Sequence, residues 1–303
     1  MAIIDDVLAT RNAPFQLVRH YEDVHEKHKK FPVWLDIKYD GVFCAVIVDR
    51  GEYSFVSRTG KLFYGLDKVG LSIPDDDGVW IGELINDPIS LELLSGLVNP
   101  NRVNSWTEAE EHAMGFARII FHDALTLEEF KAGQTTVRYM ERRARLPFYV
   151  EWSAGWLVGT LEELNSAAKE VIGNGGEGIC IKHLDAMWVA GHKGWHVTKI
   201  VRDIHLDLQC LAVDTGKGKR AGQIARLQFS YGDRTFWADL GKGWTDERRI
   251  ELTYAWENNA PHNPIGKVFH VKALQVSSKG VLRLAKVQEM RVHKDYEDIL
   301  NTV

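Results

Sequence analysis

Short segments rich in β-branched and aromatic residues recur through the first two hundred positions, and this pattern most constrains the fold. Helix-like segments interrupt them irregularly, which predicts an α+β fold rather than alternating strand–helix units. One helix begins at Thr160, with Glu163 three residues later as a capping box and Gly173 at its end. A second passes through Tyr139, Arg142 and Leu146. The predicted strands are Val33–Lys38, Val42–Val48, Tyr53–Ser57, Val79–Ile85, Ala117–Ala124 and Gly178–His183.

The pattern changes near Asp203 and Ile204, after which short strands dominate. Five strands with one helix, Asp246–Glu257, in roughly a hundred residues fit a small OB-fold β-barrel. We therefore predict two domains, residues 1–203 and 204–303. The predicted barrel strands are Leu206–Asp214, Ile224–Tyr231, Thr235–Asp239, Lys267–Ser277 and Val281–Arg291.

Composition excludes several classes of protein. No apolar stretch is long enough to cross a membrane, and the amino terminus lacks the pattern of a secretory signal. Three isolated cysteines without CxxC spacing argue against a zinc site or disulfide framework, and favour a reducing cytoplasm, bacterial or phage-infected. The net charge of −5 disfavours indiscriminate nucleic-acid binding, but a local basic face would be sufficient. Such a face is predicted at Lys217, Lys219, Arg220 and Arg226, where a solvated hairpin loop is the alternative.

The first chemical motif is Lys38-Tyr39-Asp40-Gly41. A Lys-x-Asp-Gly tetrapeptide arises by chance in about one in fifteen chains of this size, so alone it is weak. Other motifs follow it in a fixed order, and chance does not explain the series. They are Ser57-Arg58-Thr59-Gly60, Gly82-Glu83-Leu84, Phe121-His122-Asp123, Glu177-Gly178-Ile179-Cys180-Ile181-Lys182, Trp195–Lys199 and Arg283–Lys294.

This ordered series resembles the covalent nucleotidyltransferase superfamily, and within it the short phage-type ATP-dependent DNA ligases. The resemblance covers nearly the whole chain, including 93–97 after the Gly-Glu motif and 216–222 and 241–248 in the barrel. It implies an ATP-grasp-like nucleotidyltransferase domain followed by an OB-fold. It also implies that a monomer uses ATP and Mg²⁺, with Mn²⁺ as an alternative, to seal 5′-phosphate/3′-hydroxyl nicks in duplex DNA.

The resemblance assigns roles residue by residue. Lys38 would attack the α-phosphate of ATP and carry AMP, a role that requires its neutral amine. The remaining residues are assigned to the nucleotide and the metal: Asp36 and Ile37 near adenine, Phe121 or His122 stacking on it, Arg58 on ribose or phosphate, Glu83 on ribose or metal, Glu177 on metal or orienting phosphate, and Lys182 and Lys199 on the α-phosphate.

Two further groups are assigned to the barrel. Arg291 and Lys294 would orient pyrophosphate while the lysine is adenylylated, which charge matching to the leaving group requires. The barrel would close over ATP for this step and then swing away to bind nicked duplex. Lys217, Lys219 and Arg220 would contact DNA.

The chain departs from the family pattern at four positions. Phe43 and Val197 stand where basic residues are usual, Ile81 replaces an acidic residue, and His122 replaces an aromatic one. The lost positive charge concerns binding of the 5′-phosphate more than adenylylation, and Lys193 is a candidate substitute for the charge missing at 197. An RNA ligase, a capping-type nucleotidyltransferase or a non-catalytic nucleic-acid-binding relative remain alternatives.

Overall fold

The computed structural model describes residues 2–277, 279–294, 297 and 298. The chain divides into two compact units, 1–201 and 202–303. This division falls two residues before the domain boundary predicted at 203/204. Residues 278, 295, 296 and 299–303 of the predicted barrel domain lie outside the described part.

Helices and strands are mixed throughout the first unit, which confirms the predicted α+β class. The helices are α1 (Ala2–Thr10), α2 (Leu91–Leu97), α3 (Glu108–Met114), α4 (Leu127–Ala132), α5 (Tyr139–Arg143), α6 (Leu161–Gly173) and α7 (Asp246–Glu257). The strands are β1 (Arg19–His20), β2 (Val33–Lys38), β3 (Val42–Asp49), β4 (Glu52–Val56), β5 (Gly78–Ile85), β6 (Arg118–Leu125), β7 (Gln134–Thr135), β8 (Gly155–Val158), β9 (Gly178–His183), β10 (Trp188–Val189), β11 (Val197–Val201), β12 (Ile204–Gln209), β13 (Ala212–Thr215), β14 (Ile224–Tyr231), β15 (Arg234–Leu240), β16 (Val268–Ala273), β17 (Gln275–Val276), β18 (Leu282–Arg283) and β19 (Lys286–Met290).

Two main sheets form the first unit. One has the strand order β1-β11-β9-β2-β8, and the other has the order β4-β3-β5-β6. In the first sheet, β2 pairs antiparallel with β9 so that Lys38 lies opposite Gly178 and Asp36 opposite Cys180. In the second, β3 pairs with β5 so that Phe43 lies opposite Glu83. These registers bring the ordered motifs of the sequence into neighbouring strands.

Helix α6 begins after Thr160 and ends at Gly173, as predicted, whereas α5 ends earlier than predicted. The Thr160 side chain accepts a hydrogen bond from the Glu163 backbone N–H at 3.1 Å, as a helix cap should. The Glu163 carboxylate, however, accepts from the Gly159 N–H at 2.6 Å, so the reciprocal half of the predicted capping box is absent. Helix α5 ends at Arg143, before Leu146, which packs into the core instead.

The second unit contains a six-stranded sheet with the order β12-β16-β19-β15-β14-β13. Helix α7 has the predicted bounds, and its residues Leu252 and Trp256 pack against the apolar core of this sheet. Three strands predicted as continuous are divided: Leu206–Asp214, Lys267–Ser277 and Val281–Arg291. The division lets one segment of chain serve two partners, as β12 pairs with β16 and β13 with β14, which a small curled sheet requires.

Within residues 2–277 and 279–294, no helix has both the length and the apolar character needed to span a membrane.

Candidate active site

Lys38 ends β2, and a glycine three residues later lets a carboxylate approach it. A Cβ on Gly41 would lie 2.5 Å from the Leu84 carbonyl oxygen and 2.7 Å from Cγ of Glu83. The Gly of the Lys-x-Asp-Gly motif therefore permits close packing of two strands. Gly41 does not have a positive φ, so this close packing, and not the backbone conformation, is what requires glycine here.

Glu177 is the direct partner of Lys38. Its Oε2 lies 2.6 Å from Lys38 Nζ, and its side chain is 6% exposed. The neighbouring Gly178 has φ 147°, and a Cβ there would lie 2.1 Å from the Ile200 carbonyl oxygen. Only glycine fits this position, so the Glu-Gly motif fixes the carboxylate at the end of β9 beside the amine.

Both carboxylates near Lys38 favour the protonated form of its amine, whereas burial opposes it. Burial disfavours the Lys38 ammonium, but the charges of Glu177, Cys180 and Glu83 outweigh burial and raise its pKa. Burial raises the pKa of Glu83 to about 7, against the lowering effect of Lys38 and Arg58. Without a bound nucleotide, the site therefore holds Lys38 as the ammonium ion.

One pocket gathers most of the predicted nucleotide-binding residues. It is lined by Asp36, Ile37, Lys38, Arg58, Glu83, His122, Lys182 and Lys199. Phe121 is the exception: it is fully buried in the core of the other sheet, because successive side chains of β6 point to opposite faces. Placing Phe121 at the nucleotide was therefore wrong, and of this pair only His122 lines the pocket.

Asp36 is buried in a network of polar side chains. Its Oδ2 lies 2.8 Å from Lys182 Nζ and accepts a hydrogen bond from the Tyr139 hydroxyl at 2.9 Å. Its Oδ1 accepts from Arg143 at 3.3 Å and from the Trp34 indole at 2.9 Å. The sequence motifs did not identify Tyr139, Arg143 or Trp34, because the first two come from α5, far along the chain. The pKa of Lys182 is raised: burial opposes its charge, but Asp36 outweighs burial.

His122 faces the pocket as a neutral ring. Burial and the charge of Lys182 lower its pKa to about 3. Its Nδ1 lies 3.3 Å from Lys182 Nζ, and its carbonyl oxygen accepts from the same amine at 3.2 Å. An uncharged, planar His122 ring offers a flat surface on which a nucleotide base can stack.

Phe43 and Val197, which stand where basic residues are usual, form apolar parts of the pocket wall. Phe43 packs on Phe15 with ring centroids 5.0 Å apart, and the Arg58 guanidinium lies 5.0 Å above the Phe43 ring. Val197 also lines the pocket, and so does Ile81, whereas Lys193 is exposed and is not among the lining residues. The structure therefore does not support Lys193 as the substitute for the charge missing at 197.

Glu83 and Glu177 are the predicted metal ligands, and their chemistry fits a hard divalent cation. Glu83 carries a raised pKa partly because Glu177 and Asp40 are nearby, so a cation here would relieve carboxylate repulsion. Among the described residues, no group of three or more His, Cys, Asp or Glu side chains could hold a metal ion. Two carboxylates together with substrate phosphates are a usual Mg²⁺ environment, so the residues fit a metal that arrives with a nucleotide.

The predicted barrel residues lie in the second unit. Arg291 Nε and Lys294 Nζ each lie 3.0 Å from a different oxygen of Asp207, and Lys294 also pairs with Asp298 at 2.7 Å. These contacts hold the Asp207 pKa at about 2, although burial opposes its ionisation. Lys219 and Arg220 lie 3.8 and 3.6 Å from Asp246, while Lys217 is exposed.

Comparisons with known proteins agree with this arrangement. A family model described as "DNA ligase OB-like domain" matches residues 215–291. A "Probable DNA ligase" of Kineococcus radiotolerans is 29% identical over 236 residues, which covers 75% of this chain and 45% of that protein. A "DNA ligase" of Saccharolobus islandicus is 32% identical over 117 residues, covering 34% of this chain and 20% of that protein. The chain thus spans less than half the length of these curated relatives.

The chain is similar in sequence to these DNA ligases, and residues 215–291 match their OB-like domain. Solved structures show that the chain shares the fold of DNA ligases. The ATP-dependent DNA ligase of bacteriophage T7, in complex with ATP, matches with a TM-score of 0.54 and 17% identity over 93% of this chain and all of that one. A structure from work on Lig E DNA ligases matches with a TM-score of 0.62 and 17% identity, covering 91% of this chain and 98% of the other. The predicted nucleotidyltransferase and OB-fold architecture is therefore confirmed.

Proposed function

We propose that this chain is an ATP-dependent DNA ligase that seals 5′-phosphate/3′-hydroxyl nicks in duplex DNA through AMP carried on Lys38. The observation that carries this proposal is the convergence of Lys38, Glu83 and Lys199 on one pocket, with Glu177 in contact with the Lys38 amine. Residues 1–203 are the adenylylation domain and 204–303 the OB-fold domain, and one copy of the chain acts alone.

The first step transfers AMP from ATP to the enzyme. Lys38 Nζ attacks the α-phosphorus, so that a nitrogen–phosphorus bond forms while the bond to pyrophosphate breaks. The amine must first lose a proton, and Glu177 Oε2, 2.6 Å away, accepts it. Lys199 and Arg58, which form no ion pair among the described residues, contact the phosphates.

Lys199 is suited to an anionic substrate. Burial lowers its pKa, and the charges of Lys38 and Arg58 lower it further. A bound phosphate would relieve this crowding of positive charge. Glu83 and Glu177 would hold Mg²⁺, which neutralises phosphate charge when bound.

The second and third steps use DNA. An oxygen of the 5′-phosphate at the nick attacks the AMP phosphorus, which releases Lys38 and leaves a DNA-adenylate. The 3′-hydroxyl then attacks the 5′-phosphorus and expels AMP. Lys217, Lys219 and Arg220 contact the duplex, and Arg291 and Lys294 act earlier, on the pyrophosphate of ATP.

Two assays test the proposal. Mass spectrometry after incubation with ATP and Mg²⁺ should show the addition of one AMP, whereas GTP in parallel should add nothing. A gel assay on a 5′-phosphorylated nicked duplex should show joining. Absence of any adduct would identify a non-catalytic nucleic-acid-binding relative, a GMP adduct a capping-type enzyme, and joining of RNA in preference to DNA an RNA ligase.

Lys38→Ala separates the steps. We expect it to lose the AMP adduct and all joining with ATP, yet still to seal a nick whose 5′ end is already adenylylated, because that step bypasses the lysine. An acid-labile AMP adduct in this variant would mean that another residue is the nucleophile.

A further inference from the structure

A stack of aromatic rings fixes the segment that precedes β2. The His28 ring stacks on Trp195 with centroids 5.0 Å apart and planes 5° from parallel, and Trp195 stacks on His196 at 4.2 Å. The His183 ring meets the edge of Trp195 at 5.1 Å. The stack therefore attaches the loop carrying His28 to the ends of β9 and β11.

Exposed lysines without carboxylate partners lie in this segment and just before β11. Lys27, Lys30 and Lys193 are exposed and form no ion pair with any described residue. Burial lowers the pKa of His28, which belongs to the stack. The nearby charges of Lys27 and Lys30 lower it further. Lys29 differs, because Glu26 pairs with it at 2.6 Å.

These histidines do not form a metal site. His28 and His196 each stack on the Trp195 ring, with interplanar angles of 5° and 23°. No metal-binding group of three or more such side chains occurs within the described residues. The unpaired charges of the segment therefore require another explanation.

We propose that Lys27, Lys30 and Lys193, positioned by the ring stack, form a second contact for the phosphate backbone of nicked duplex DNA. We call these three residues the lysine surface. The chain carries a net charge of −5, so uncompensated lysines grouped around one rigid stack are the arrangement expected for a polyanion. This inference rests on the proposed function for the identity of the partner.

The spacing along β2 fits a duplex seated on Lys38. His183, within the stack, pairs with Val33 at the start of β2, and Lys38 is at its end. The five residue steps between Val33 and Lys38 span about 17 Å of strand. At about 3.4 Å per phosphate along one strand of DNA, this corresponds to about five nucleotides from the nick.

Fluorescence anisotropy with nicked duplex, in EDTA and without ATP, tests this directly. We expect Lys27→Gln/Lys30→Gln to weaken affinity on the order of tenfold at 0.1 M salt, and to reduce the slope of log K against log salt by about 2. Lys193→Gln should reduce that slope by about 1. The matched control Lys131→Gln/Lys169→Gln removes two exposed lysines elsewhere and should change neither quantity.

The length of the duplex arms provides a second readout. Shortening an arm from twelve base pairs to about four should weaken wild-type binding, while the double variant should respond less because its contact is already lost. Equal losses in the control variant, or unchanged binding in Lys27→Gln/Lys30→Gln, would overturn the lysine surface. So would loss of ATP adenylylation together with DNA affinity, which would indicate a damaged fold. A wild-type chain that forms no AMP adduct refutes the proposed enzyme, whereas the binding measurement decides the surface independently.

Discussion

The charges in the pocket divide into paired and unpaired groups. Lys38 is paired with Glu177 and Lys182 with Asp36, both through short contacts. Arg58 and Lys199 have no such partner among the described residues. An anionic nucleotide would therefore be met first by Arg58 and Lys199, because the other two cations would have to give up a carboxylate.

Replacing Glu83 should increase stability and reduce activity. Its folded-state pKa of about 7 exceeds the usual value, so its ionisation opposes folding increasingly from about pH 4.5 to 7, and by a constant amount above. Glu83→Gln should then raise the free energy of unfolding at pH 8 by up to about 3 kcal/mol, with little gain at pH 4.5. Thermal melting at both pH values, with AMP labelling in parallel, provides the measurement. A pH-independent difference would contradict the assigned pKa.

Val197→Lys should improve sealing of nicks. Val197 lines the pocket opposite Lys182 in the sheet, and Lys193 does not line it, so an added amine would be the new cation there. Because charge-assisted bonds to phosphate are strong, we expect faster or more salt-tolerant joining. Steady-state sealing across a salt series measures this, with Lys193→Ala as the comparison. If the first variant gains nothing and the second stops joining, the missing charge was already supplied by Lys193.

The sequence motifs identified residues that line the pocket, but not the residues that hold them in position. Strand alternation showed that Phe121 and His122 could not both face the nucleotide, but only the packing of β6 determined which one does. Tyr139 and Arg143 surround Asp36 from a helix about a hundred residues later, and no local pattern links positions so distant.

At the scale of elements, buried ion pairs join helix α5 to the sheet. Arg142 donates from Nε and Nη2 to the two oxygens of Asp123 on β6, each at 2.9 Å. Its Nη1 also donates to the carbonyl oxygens of Val137 and Ala186, at 2.7 and 3.0 Å. One fully buried guanidinium thus connects a helix, a strand and two loops beside the pocket.

Removing that guanidinium should be costly. Arg142→Leu leaves the buried Asp123 carboxylate without its partner, and we expect a loss of about 3–5 kcal/mol in the free energy of unfolding. The control is Arg138→Leu, which breaks an exposed pair with Asp185 at 3.2 Å and should cost less than about 1 kcal/mol. Urea unfolding measures both. Similar losses in the two variants would show that the buried pair has no special structural role.

Sequence periodicity predicted some strands and helices with their correct bounds but missed or merged others. Strands such as β2 and β9 and helix α7 have the predicted bounds, since apolar alternation and a Thr cap mark them locally. The long predicted barrel strands are divided, because a change of pairing partner at Cys210 or Leu274 depends on neighbours distant in sequence. Helices α1 to α4 were not predicted, as short amphipathic segments between strands carry little periodic signal.

At the scale of the whole molecule, each unit carries its own set of charged groups. The first unit holds the pocket that contains Lys38, and the second holds Arg291 and Lys294 in contact with Asp207. His270 Nδ1 lies 3.0 Å from the same carboxylate, and its Nε2 lies 2.9 Å from His205. The two basic residues are therefore held in one place within the second unit, which lowers the entropic cost of presenting both to a single anion.

This arrangement predicts that the barrel residues act at the first chemical step. Pyrophosphate is present during adenylylation of Lys38 and absent when a pre-adenylylated nick is sealed, so cations that orient it matter in only one assay. Arg291→Ala and Lys294→Ala should slow AMP labelling by about 10- to 100-fold, the loss expected for one charge-assisted contact, and leave sealing of a pre-adenylylated nick nearly unchanged. Lys267→Ala removes an exposed lysine of the same unit and should affect neither assay. Equal losses in both assays would mean that Arg291 and Lys294 bind DNA, or merely stabilise the barrel through Asp207, and melting temperatures would separate these two causes.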